Sequence, residues 1–135
     1  MTYLRIDYES VEPLDGPDAA AHRFDLDTNR LLMHGGCGIT LWFGPASTAS
    51  ADAAPLRVDV DAEADRAALR WQPDGLYAVE LAPDHPIEVW ESHDTAAVTI
   101  PARLARVSVD TARRAVVEYV TTGERPTVVS WQPAG

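Results

Sequence analysis

The feature that most narrows what this chain can fold into lies in its last third, from Val107 to Trp131. Val109, Ala112, Ala115, Val116, Tyr119 and Val120 recur at helical spacing and make one apolar stripe. Ser108 stands where its hydroxyl accepts from an orphan N–H of the first turn. Asp110 then places a negative charge at the positive end of the helix dipole. Gly123 suits the left-handed residue that ends a helix, and Pro126 keeps it from resuming. Thr127 to Trp131 alternates as a strand, with Val129 and Trp131 on one face. A helix with such a stripe has to bury it against a sheet. That settles architecture and leaves function open.

From the beginning, Leu4, Ile6 and Tyr8 alternate with Arg5 and Asp7 and predict a first strand. Residues 11–21 are broken by Pro13, Gly16 and Pro17 and read as loop. Phe24 and Leu26, then Asp27-Thr28-Asn29-Arg30, then Leu31-Leu32-Met33 give a hairpin signal. Gly35-Gly36-Cys37-Gly38 predicts a turn into a strand over Ile39 to Phe43. Residues 44–55 are small, polar and without period, the pattern of an exposed flexible loop. Leu56, Val58 and Val60 alternate as a strand, and residues 61–68 fit one helical turn or a wide loop. Strands at Leu69 to Trp71 and Leu76 to Leu81 flank a Gln72-Pro73-Asp74-Gly75 turn, and two more cover Ile87 to Ser92 and Ala96 to Ile100. The expectation is a single α+β domain over residues 1–135: an antiparallel β-meander, one main C-terminal helix packed on one face, and a final strand.

The run that closes the chain also resembles the end of immunity-protein family one of bacterial polymorphic toxin systems. Ala112, Ala115, Thr122-Gly123-Glu124-Arg125-Pro126 and Trp131 fall on that family's pattern of a small-residue helix, Thr-Gly-Glu-Arg-Pro, and a strand ending in Trp. The similarity is strong over about the last thirty residues and weaker through the middle. It implies a protein that binds a cognate toxin domain, of the deaminase or nuclease kind that attacks nucleic acids, and occludes its active site without catalysis or cofactor.

Composition agrees with a partner of that sort. The 21 acidic residues outweigh 11 basic ones, all arginine, for a net charge of −10. Such a field opposes nucleic acid and anionic membranes and favours a basic protein surface. One cysteine, Cys37, forms no internal disulfide, and neither a signal-peptide core nor a membrane-length apolar run is visible. A cytoplasmic location is the expectation.

Candidate chemistry is sparse. His34-Gly35-Gly36-Cys37-Gly38 is the one context for a nucleophile, and a small thiol enzyme using Cys37 is the alternative function; a turn cysteine is the plainer reading. His22, His34, His85 and His93 lack metal-site spacing, and His93-Asp94 is mere adjacency. If Leu56, Val58 and Val60 face the core, Asp59 and Asp61 face outward, with Glu63 and Asp65 close by; the same alternation turns Trp42, Glu88 and Trp90 outward. Aromatics among carboxylates suit a toxin-binding face made of Trp42, Asp59, Asp61, Glu63, Asp65, Glu88 and Trp90. The competing reading covers both sheet faces and makes Trp42 and Trp90 core. A protein-interaction module unrelated to toxins stays open, as does a homodimer through the small-residue helix face, which a core contact explains equally well.

Overall fold

The computed structural model describes residues 2–34, 36–92 and 96–134. Among them the chain forms nine strands and two α-helices. The elements are β1 (Tyr3–Ile6), β2 (Val11–Leu14), α1 (Pro17–His34), β3 (Gly38–Pro45), β4 (Leu56–Asp61), β5 (Arg66–Trp71), β6 (Leu76–Val79), β7 (Ile87–Trp90), β8 (Val98–Ile100), α2 (Val109–Thr122) and β9 (Ser130–Pro133). The sheet runs β2-β1-β3-β4-β5-β6-β9, with antiparallel neighbours throughout that order. β7 lies on the same edge of β3 as β1 and pairs with it in parallel, Gly38 opposite Val89 and Ile39 opposite Trp90; β8 closes that edge. The α+β architecture with a C-terminal helix and final strand is therefore as expected.

The C-terminal helix forms for the reasons its sequence carries. Ser108 accepts from the Thr111 N–H at 3.1 Å, and Gly123 takes the left-handed conformation at φ 74°. Ala112, Ala115, Val116, Tyr119 and Val120 are buried against one sheet face, where Val129 and Trp131 also pack. Glu80 reaches this N-terminus from outside the helix: its carboxylate accepts from the Ser108 N–H at 2.9 Å and from the Thr111 hydroxyl.

Strand β2 and the start of helix α1 replace the expected loop over residues 11–21, and α1 runs straight through the expected hairpin from Phe24 to Met33. Pro17 and Asp18 sit in its first turn, where a missing N–H costs nothing and an acid is favoured. Ala20, Phe24 and Asp27 form its buried face, with Leu31 packed alongside. The helical period was hidden because a carboxylate occupies a stripe position. Asp27 is buried at 2% exposure, and Arg5 of β1, fully buried, grips it through Nε and Nη2, both at 2.7 Å. Arg5 Nη2 also reaches Asp7 at 2.9 Å. The helix packs antiparallel to α2 over the same sheet face, and Arg113 ties them at the surface through Asp25 at 2.8 and 3.0 Å.

Three further expectations shift. The turn over Ala62–Asp65 is tight, with Asp65 in the left-handed region at φ 52°, so β5 starts at Arg66 without an intervening helix or wide loop. The segment 46–55 is not simply a free loop: it contains a 3-10 turn at Ala51–Ala53 and lays Ala54 against Ile6 and Trp42. The final strand begins at Ser130, because the Thr127 and Val128 N–H groups are taken by Glu118 of α2.

Removing one partner of the Arg5–Asp27 pair strands a buried charge. Asp27→Ala is expected to cost roughly 3–5 kcal/mol in urea denaturation, whereas the Arg5→Met, Asp27→Leu double variant recovers most of that loss. The acid side of the stability profile follows from Glu80 and Asp7. Burial pushes both carboxyls up, but hydrogen bonds and, for Asp7, the Arg5 charge outweigh it, so both sit below their ordinary values of 4.5 and 3.8. Their contribution is fully present above those values and is lost as pH falls through the lower folded-state values. The urea midpoint is expected to drop on acidification below about pH 4.5, and less so in Glu80→Gln.

Candidate partner-binding surface

Both faces of the central strands are covered, and this divides the seven expected interface residues. On the face away from the helices, Ala68 packs with Ile87, Val89, Ile100, Leu104 and Ala105, while Trp42 packs with Ile6 and Ala54. Trp42 is 6% exposed and lies under the Arg57 guanidinium at 5.5 Å. Asp59 is fully buried: it accepts from the Thr40 hydroxyl at 2.7 Å and from Arg57 Nη2 at 3.1 Å, with Arg70 Nη2 at 3.7 Å. Arg57 continues to Glu91, next to the end of β7, at 2.6 Å. Contrary to the alternation argument, Trp42 and Asp59 are therefore interior groups. Alternation reports which residues share a face, not whether that face is wet.

The other five remain at the surface, at one end of the sheet. Register explains the grouping: Ile39 of β3 lies opposite Val60 of β4 on one side and Trp90 of β7 on the other. Asp61 follows Val60, and Glu63 and Asp65 belong to the adjoining turn. Asp61 also holds that turn by accepting from the Ala64 N–H at 3.2 Å. Asp65 accepts from the Val109 N–H at 3.1 Å, so it caps α2 as well as facing water. Glu88 is exposed and accepts from the Thr99 hydroxyl at 2.9 Å. Trp90 is 40% exposed.

Helix α1 brings to the same end residues that no strand pattern could have assigned there. Leu32 and Met33, in its last turn, are 58% and 77% exposed. A pocket of about 290 Å³ opens between this helix end and Trp90, with Tyr8, Glu9, Leu31 and Ile39 among its lining. His34 and Cys37 line it too, which revives the thiol question. Burial, together with the carboxylates of Glu88 and Asp61, pushes the Cys37 thiol up from its ordinary value. A nucleophile needs the opposite shift. Among the described residues no group of three or more His, Cys, Asp or Glu side chains is placed to hold a metal ion, while His93-Asp94 lies outside them. Nor, among the described residues, is any helix long and apolar enough to cross a membrane.

At this end of the sheet, then, the exposed side chains of Leu32, Met33 and Trp90 share the surface with the carboxylates of Asp61, Glu63 and Glu88. The sequence matches the Immunity protein Imm1 family over residues 31–133, and the chain belongs to that family. The match takes in the end of α1, strands β3 to β9 and α2. It omits β1, β2 and most of α1, and with them Arg5, Asp27, Tyr8 and Glu9. No curated protein matches the chain. The residues carrying the family resemblance have distinct structural places. Ala112 and Ala115 are fully buried in the core, Gly123 ends α2, the Pro126 carbonyl accepts from the Trp131 indole N–H at 2.8 Å, and Arg125 is exposed.

Because Asp59 neutralises Arg57 and Arg70 inside the protein, Asp59→Ala is expected to act on the fold. A loss of roughly 3 kcal/mol in chemical denaturation, with partner association unchanged in the fraction that stays folded, is the predicted result.

Proposed function

We propose that this immunity protein neutralises a toxin domain by docking the end of the sheet formed by Leu32, Met33 and Trp90, with Asp61, Glu63 and Glu88 around them. The observation that carries this is the coincidence of exposed Leu32, Met33 and Trp90 with a pocket at one end of the sheet, where Asp61, Glu63 and Glu88 also reach the surface. Membership of the immunity family implies a cognate toxin as partner. The net charge of −10 supports a basic target surface. A toxin that acts on nucleic acid has such a surface around its substrate groove, and an acidic protein seated there excludes the phosphate backbone. Binding alone accomplishes this, in keeping with a family whose role requires no catalysis.

The division of labour follows from solvent exposure. The apolar groups supply affinity through desolvation at the centre of the contact, and the carboxylates at the rim accelerate encounter and orient it. The test uses the cognate toxin domain, which an immunity gene is expected to carry in the reading frame directly upstream. Glu63→Lys combined with Glu88→Lys is expected to slow association most at low salt, leaving the circular dichroism spectrum unchanged. Trp90→Ala is expected to raise Kd about 30-fold, mainly through faster dissociation. If neither variant changes association or dissociation at low salt, this end of the sheet is not the docking surface.

A further inference from the structure

A second cleft, of about 500 Å³, lies at the opposite end of the sheet, between the loop that follows α2 and the end of β5. Trp71, Trp131 and Pro126 line it, together with Asp74, Glu124 and Arg125. The Trp131 indole N–H is already donated to the Pro126 carbonyl, so the ring offers the cleft its π system and no free donor. Trp71 is braced from behind by an edge contact with Tyr119, their centroids 5.9 Å apart. The loop is fixed by Glu118, which accepts from the Thr127 N–H and hydroxyl, both at 2.8 Å. Two indoles and two carboxylates around one hollow are the ingredients for holding an organic cation.

The protein supplies its own stand-in for such a guest. The Arg125 guanidinium points to Asp74 at 4.0 Å, with the two side chains 46% and 61% exposed. An ion pair so long and so open contributes little and is readily displaced. The geometry points to a cleft that receives an arginine or lysine side chain from a basic protein segment, its charge shared by Asp74 and Glu124 and its stem laid against the indoles. Arg125 swings aside as the guest enters. Every residue of the cleft falls within the family match, and the inference is independent of where the toxin docks.

A titration of the ¹⁵N-labelled chain with a capped tri-arginine peptide, followed through the four tryptophan indole resonances, tests this. Saturable shifts confined to Trp71 and Trp131 are expected. Asp74→Asn with Glu124→Gln, both surface changes, is expected to weaken binding about tenfold, and Arg125→Ala to tighten it about threefold by removing the internal competitor. Shifts spread equally over Trp42 and Trp90, or insensitivity to the Asp74/Glu124 pair, would show only diffuse attraction to an acidic protein and overturn the proposal. Choline bound as tightly as the peptide would assign the cleft to small cations and overturn it as a protein-docking site.

Discussion

The buried contact between Arg5 and Asp27 is the interaction on which the arrangement of this molecule depends. A guanidinium and a carboxylate with almost no solvent access are tolerable only when they satisfy one another, and the fork of Arg5 meets both oxygens of Asp27. That requirement fixes α1 against β1 in one register. The placement of Leu32, Met33 and the wall beside Trp90 at the sheet end follows from it. Hydrophobic burial of Phe24 and Ala20 contributes to the same contact but, being non-directional, would accept neighbouring positions more readily.

A comparable logic operates on the far face. Asp59 is held among Thr40, Arg57 and Arg70, and Arg57 links onward to Glu91 beside β7. β7 touches β3 over only two register positions, so the side-chain bridge and the apolar cluster around Ile87 and Val89 bear much of its attachment. Polar groups that alternation assigns to water thus serve as interior fasteners, and the surface left for recognition is correspondingly smaller.

Much of the fold was legible because its local signals agreed with its tertiary ones. The stripe, cap and stop of α2, the strand from Leu56 to Asp61 and the turn at Gly75 after Trp71 all appear as their residues predict. α1 was not legible, since its buried face includes Asp27, and Asp27-Thr28-Asn29-Arg30 has the composition of a turn. Only the distant Arg5 makes that acid a core residue, and a pairing across 22 positions leaves no periodic trace. The candidate surface was half readable for the same reason. Glu88 and Trp90 alternate outward on an edge strand, and the acids of the β4–β5 turn lie outside any cover. Trp42 and Asp59 obey the same alternation on central strands whose second face is roofed by chain from elsewhere.

The path of α2 has one more consequence. Its first residue is hydrogen-bonded to Asp65 in the β4–β5 turn, while Gly123 at its far end lies against Tyr3, at the other extremity of the strands. A helix of 14 residues spans about 21 Å, so the two recessed regions sit at separate poles of the molecule. The two proposed surfaces therefore share no residue, and a substitution at one pole leaves the side chains of the other unchanged.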